Sequence, residues 1–105
     1  MSHLIGMVEG VKINTIDELQ GLMNSVAEEC NFRVVGSCFH QFEPFGATGV
    51  LVLAESHFSA HTYPENNMVY VDVFCCSKDF HAYACGDIIR RTFQAPKAVW
   101  KVIAR

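Results

Sequence analysis

The stretch L-A-E-S-H-F-S-A-H-T-Y-P-E-N-N-M-V-Y-V-D-V-F-C-C, Leu53 to Cys76, sets a polar block between two apolar runs. The first run, Val50–Ala54, is continuous and apolar and reads as a buried strand. It ends in Glu55-Ser56-His57. His61 follows Ser56 by five positions, and Thr62-Tyr63-Pro64-Glu65 opens a turn that closes at Asn67. The second run, Met68–Phe74, reads as another strand and leads into the adjacent Cys75 and Cys76.

Upstream, Phe32–Phe42 is rich in β-branched and aromatic residues and predicts a strand; Pro44, Gly46 and Gly49 punctuate the turn after it. His3–Val8 predicts a short first strand. Between these two lies a helix, because Thr15 followed by Glu18 forms a capping-box pattern. Ile16, Leu19, Met23, Val26, Ala27 and Cys30 then recur at helical spacing, and Asn31 ends the run. Downstream, Asp79–Phe93 predicts a second helix with Phe80, Tyr83, Ala84, Ile88 and Arg91 on one face. Pro96 stops it, and Ala98–Ile103 predicts a last strand. The order is β-α-β-β-β-α-β. Strands gathered between two helices imply an α+β two-layer sandwich, a mostly antiparallel sheet with both helices on one face. The other sheet face then needs cover, and a second copy of the chain would supply it.

The chain has 105 residues, half of them hydrophobic and 18% charged. That is one domain, able to bury roughly 65% of its unfolded surface. The formal charge of −3 and the absence of any Lys or Arg run argue against nucleic acid or an anionic membrane as partner. No apolar stretch reaches the ~20 residues of a membrane span, and no basic-then-apolar leader opens the chain. Five cysteines, an odd number with one adjacent pair, do not form a secreted disulfide framework. The expected setting is the cytoplasm, with reduced thiols.

Taken singly, Ser56 is an ordinary turn residue, His61 an ordinary polar one, and Cys76 a small core hydrophobe. Together they read differently. Glu55–Glu65 (E-S-H-F-S-A-H-T-Y-P-E) resembles the E-S-H-x-x-x-H-T-W-P-E block of the prokaryotic S-adenosylmethionine decarboxylase proenzyme family. Asp72–Ser77 (D-V-F-C-C-S) resembles its D-V-F-T-C-G block. Phe39–Val50 (F-H-Q-F-E-P-F-G-A-T-G-V) resembles F-H-x-F-x-P-x-G-V-S-G-V. The departures are Tyr63 for Trp, Cys75 for Thr, Ser77 for Gly and Thr48 for Ser.

The resemblance implies that the chain cuts itself between Glu55 and Ser56, into residues 1–55 and 56–105 of a single decarboxylase domain. The Ser56 hydroxyl attacks the Glu55 carbonyl and turns the peptide into an ester. β-Elimination then leaves dehydroalanine, which loses ammonia and becomes a pyruvoyl cofactor. His61 matches the histidine that takes the Ser56 α-proton, a role suited to imidazole. The pyruvoyl forms a Schiff base with the substrate amine and draws off the electrons freed by decarboxylation. Cys76 matches the proton donor, and Cys75 is structural. Phe42 and Tyr63 match aromatic groups that stack the adenine of S-adenosylmethionine, and Thr48 supports processing; Glu65 either binds ribose hydroxyls or simply sits in the turn. The implied enzyme is a homodimer of cleaved protomers that supplies aminopropyl groups for spermidine synthesis, with active sites near the subunit interface.

Three other readings stand beside it. A pyruvoyl enzyme of the same fold could act on arginine or ornithine, although retained Phe42 and Tyr63 favour adenine. His57, His61, Cys75, Cys76, His81 and Cys85 form a soft-ligand set, but only His57/His61 and His81/Cys85 approach metal-site spacing. A silent partner subunit has no need of Ser56, His61 and Cys76 together. With no metal required by the main reading, none is assigned.

Overall fold

A computed structural model describes all 105 residues. The elements are β1 (Ser2–Glu9), α1 (Ile16–Glu29), β2 (Val34–Gln41), β3 (Ala47–Leu53), β4 (Ser56–Tyr63), a 3₁₀ turn (Pro64–Asn66), β5 (Met68–Cys75), α2 (Ala82–Thr92) and β6 (Lys97–Ala104). The six strands form one sheet in the order β2-β3-β4-β5-β1-β6. Every neighbouring pair is antiparallel. The two-layer α+β architecture is the expected one, with α1 packed on β2 and β3, and α2 on β1 and β6.

The expected order is one strand short. Residues 56–63, read as a polar block, form β4 in the middle of the sheet. Phe58, Ala60 and Thr62 face the helices and are buried, while His57, Ser59, His61 and Tyr63 occupy the opposite face. Only Phe58 of the buried three is a large hydrophobe, so the period-2 signal is faint. Thr62 is satisfied because its hydroxyl accepts the Ala47 N–H at 2.9 Å. Val50–Ala54 is likewise not buried throughout: β3 alternates, with Leu51 and Leu53 in the core and Val52 exposed. Gly49 lies inside β3 rather than in the turn before it. A Cβ there would meet the Phe39 ring at 2.3 Å, so glycine lets that ring lie across the strand.

Helix α1 begins as its sequence dictates. Glu18 N–H donates to Thr15 Oγ1 at 3.2 Å, and Glu18 Oε1 accepts the Asn14 N–H at 3.3 Å. It ends with Asn31 at φ 58 and Phe32 N–H donating to Ala27 O at 2.8 Å, a left-handed cap that asparagine tolerates. Helix α2 buries Ala82, Cys85, Gly86 and Ile89 instead of the expected stripe; Tyr83, Ala84 and Arg91 face solvent. Glycine is needed at position 86 because α2 lies directly on Trp100 of β6 there, whose Nε1 would be 2.8 Å from a Cβ on Gly86.

The face away from the helices is uncovered. Ile5, Val52, Tyr63, Tyr70, Val99 and Ile103 all point from it and are 37–50% exposed. These apolar side chains are interleaved on the same face with His3, His57, Ser59, His61 and Asp72.

Candidate active site

Strands β3 and β4 are joined by two residues, Ala54 and Glu55, with Leu53 paired to Ser56. Such short hairpins favour turns with positive φ in the loop itself. Neither Ala54 nor Glu55 adopts one; the positive φ falls on Ser56, at 152°. That region is close to glycine-only and costs a side-chain-bearing residue about 1–3 kcal/mol. The Glu55–Ser56 peptide is therefore held in a strained hairpin. Its carbonyl oxygen accepts the Cys76 N–H at 3.0 Å, and the Glu55 carboxylate accepts the Arg33 N–H at 3.2 Å. Cys75, paired with Ser56 across the ladder, is buried, and burial pushes its thiol up from 9.0. Cys76 is exposed. Of the paired cysteines, only Cys76 presents its thiol to solvent at this turn.

A second group sits at the other end of β4, on the open face. Thr48 Oγ1 and His61 Nδ1 are 2.5 Å apart. In the tautomer whose Nδ1–H donates to Thr48, His61 Nε2 is the nitrogen that can accept a proton. The Phe42 ring lies 5.4 Å from the His61 ring, Tyr63 lies 6.4 Å beyond it, and Tyr70 is 6.5 Å from Tyr63. Gln41 fixes the turn that carries Phe42. Its amide donates to Asn14 O and Gly46 O, both at 2.8 Å, and accepts the Ile16 N–H at 2.9 Å. Glu65 is exposed in the 3₁₀ turn that follows Tyr63.

These two groups do not meet within one chain. Ser56 and His61 are five residues apart on one strand, roughly 17 Å at ~3.4 Å per residue. Their positions also fall on opposite faces, Ser56 in register with the helix-side row and His61 on the open side. Each group has a concavity beside it. A cavity of about 370 Å³ reaches Glu55 and Cys75 from between the helices, lined also by Cys30, Phe32, Phe80 and Cys85. A shallower depression of about 300 Å³ on the open face runs past Thr48, His61, Ser59 and Asp72.

Comparison with known proteins places this geometry. A family model described as S-adenosylmethionine decarboxylase matches residues 2–105. The chain belongs to the S-adenosylmethionine decarboxylase family. Among curated relatives, the S-adenosylmethionine decarboxylase proenzyme of Aquifex aeolicus is 38% identical over 90 residues, covering 83% of this chain and 67% of that protein. The Sulfurihydrogenibium proenzyme is 34% identical over 105 residues, covering 97% and 78%. The crystal structure of the adenosylmethionine decarboxylase from Aquifex aeolicus superposes with a TM-score of 0.89 at 32% identity, covering 99% of this chain and 88% of that one.

Against the decarboxylase expectation, the structure brings Glu55, Ser56 and Cys76 together at one turn and Thr48, His61, Phe42 and Tyr63 together at another. Sequence reasoning missed the Cys76 N–H on the Glu55 carbonyl, which exists only through the β4–β5 pairing. It also missed Gln41, whose three contacts join segments far apart in the chain. Of the six soft ligands considered above, only His57 enters a close three-ligand group, with His3 and Asp72. Cys30 and Cys85 touch at 3.7 Å between their sulfurs. The hydrogen bond between the two thiols holds Cys30 below 9.0 against the opposing effect of burial, and the same contact drives Cys85 upward. Burial pushes the Asp72 carboxyl up, but hydrogen bonds from Ser59, His3 and His57 together hold it below 3.8.

Proposed function

We propose that the chain cleaves its own Glu55–Ser56 peptide, converts Ser56 to a pyruvoyl group, and decarboxylates S-adenosylmethionine. The observation that carries this reading is the scissile turn itself: a strained Ser56 at φ 152, with the Glu55 carbonyl hydrogen-bonded to the Cys76 N–H. When Ser56 Oγ bonds to the Glu55 carbonyl carbon, that oxygen becomes anionic and the Cys76 N–H is already aimed at it. A single preorganised donor of this kind is worth roughly 10²–10³ in rate. Collapse breaks the C–N bond, leaves the Glu55 acyl group on Ser56 Oγ, and frees the Ser56 nitrogen as an amine. Loss of the Ser56 α-proton to a base expels the Glu55 carboxylate. Water then replaces nitrogen, ammonia departs, and the new chain end is the ketone.

The fit of the site to that group is local: position 56 tolerates its backbone geometry badly as an L-residue, and conversion to a planar centre relieves it. The pyruvoyl supplies an electron sink for the carbanion left when carbon dioxide departs. The exposed Cys76 thiol, beside that end, delivers a proton to the carbanion carbon.

His61 is assigned as the base, and within one chain it lies far from Ser56. A two-fold pair that sets the Thr48–His61 end of one copy at the Glu55–Ser56 turn of the other would supply the base that the same chain cannot. Phe42, Tyr63 and Glu65 travel with His61, so the same docking would carry aromatic stacking groups to the pyruvoyl. This favours an adenine-bearing sulfonium substrate over arginine or ornithine, since aromatic faces attract the cation by about 0.5–2 kcal/mol. On this reading the product is the aminopropyl donor for spermidine synthesis.

The test separates cleavage from turnover. Ser56→Ala should remain a single inactive chain. Cys76→Ala keeps its N–H and should still split, yet decarboxylate roughly 10²-fold or more slowly. Cleavage of Ser56→Ala after Glu55, or full turnover by Cys76→Ala with unchanged product, would remove the respective residue from its role.

A further inference from the structure

The open face carries a second cluster that neither cleavage nor decarboxylation uses. His3 on β1 and His57 on β4 both stand opposite Phe74 of β5, one on either side of it. Asp72, two residues before Phe74, rises from the same face between them. His3 Nε2 and His57 Nε2 each lie 2.8 Å from one oxygen, Asp72 Oδ2. The three prospective ligand atoms are all within 4.8 Å of one another. Ser59 donates its hydroxyl to the remaining oxygen, Asp72 Oδ1, and so fixes the carboxylate plane. Side-chain exposures of 14% for His3, 27% for Asp72 and 39% for His57 leave the cluster open to a solvated ion.

We infer that His3, His57 and Asp72 form a zinc site, with two imidazole nitrogens and one carboxylate oxygen as ligands and a fourth position open to water. The donor set decides the metal. Two nitrogens and one oxygen suit zinc and its neighbours, whereas magnesium and calcium take oxygen ligands. Zinc–ligand bonds of about 2.0–2.1 Å place tetrahedral ligand atoms about 3.3 Å apart. The present 2.8 Å His–Asp pairs need to open by only about half an ångström, and the two imidazole nitrogens, within 4.8 Å of each other, need to close by at most about 1.5 Å. The site is preorganised by what fills it without metal: each Nε2–H points at the same carboxylate oxygen. On zinc binding those protons move to Nδ1. At His3, Arg105 Nη1 now donates to Nδ1 at 3.3 Å and lies over Phe74 at 5.1 Å from the ring centre. A protonated Nδ1 cannot accept that bond, so Arg105 competes with the ion through the tautomer as well as through charge. Zinc here would pin β1, β4 and β5 together one residue from Ser56. The inference does not depend on the decarboxylase reading.

Cobalt(II) is the probe, titrated into the full chain after removal of metal with a chelator. One equivalent should give the intense visible bands of a four-coordinate ion, displaced by zinc, with no thiolate charge-transfer band in the near ultraviolet. His57→Gln and Asp72→Asn should lose the signal, and Ser59→Ala should weaken binding about 10–100-fold. Arg105→Gln should tighten it several-fold. Absence of a one-equivalent signal, a thiolate band, or a titration unchanged in His57→Gln and Ser59→Ala would overturn the site. Should the His57 or Asp72 variants fail to fold by circular dichroism, Arg105→Gln decides: tighter binding supports the site, and equal or weaker binding overturns it.

Discussion

Ser56 and His61 cannot act on each other within one chain, and that separation sets up a mixed-subunit experiment. Five residues of strand, roughly 17 Å, lie between them, against the ~3 Å reach that proton abstraction needs. Two variants are co-produced with different tags: Ser56→Ala, which has no nucleophile, and His61→Ala, which has no base. Alone, Ser56→Ala should never split, and His61→Ala should split about 10²–10⁴-fold more slowly than wild type, the usual worth of a positioned general base. Together at equal amounts, random association makes about half of all two-fold dimers mixed. On the proposed two-fold arrangement each mixed dimer would hold one complete site, built from Ser56 of the His61→Ala chain and His61 of the Ser56→Ala chain. About half of the His61→Ala chains should therefore be cut at the wild-type rate, and none of the Ser56→Ala chains. Tag-selective capture followed by intact-mass measurement reads both numbers. The reasoning fails if His61→Ala is cut normally by itself, or if it stays whole in mixed dimers that the tags show to have formed.

Three further outcomes follow from the same geometry. Thr48→Val removes the partner of His61 Nδ1 and should slow self-cleavage, whereas Thr48→Ser should not; equal rates for the two in a cleavage time course would dismiss the hydrogen bond. Phe58→Ala empties the middle of the core, where the ring is fully buried, and should cost about 3–5 kcal/mol in urea denaturation; a loss under 1 kcal/mol would contradict the packing. Because the folded-state Asp72 carboxyl sits below 3.8, its contribution to stability is present above that pH and lost as pH falls beneath it. The stability difference between wild type and Asp72→Asn should accordingly narrow below pH 3.8, and a difference that stays constant would refute the assignment.

What the sequence made legible was local. Thr15 and Glu18 lie three residues apart and declare the start of α1 without reference to anything else; Asn31 declares its end. The E-S-H and D-V-F-C-C blocks point to the Glu55–Ser56 turn, the proposed point of cleavage, for the same reason. Strand β4 was hidden because its buried row is Phe58, Ala60 and Thr62, and its outer row carries two histidines and a serine. Its burial is imposed by β3 and β5 on either side rather than by its own hydrophobicity. Of the stripe expected on α2, Phe80 and Ile88 pack against the core while Tyr83, Ala84 and Arg91 face solvent. Trp100, more than ten residues away, takes up the room beside Gly86, and the face that meets the sheet is Ala82, Cys85, Gly86 and Ile89. The His3–Asp72–His57 cluster joins residues up to 69 positions apart, and only the strand order β4-β5-β1 brings them together.

The most direct test of self-processing is an intact-mass spectrum of the freshly purified chain. Two fragments, residues 1–55 and 56–105, the second beginning with a pyruvoyl end in place of Ser56, are the predicted result. A single chain of unaltered mass, or a break at any other peptide bond, would contradict it.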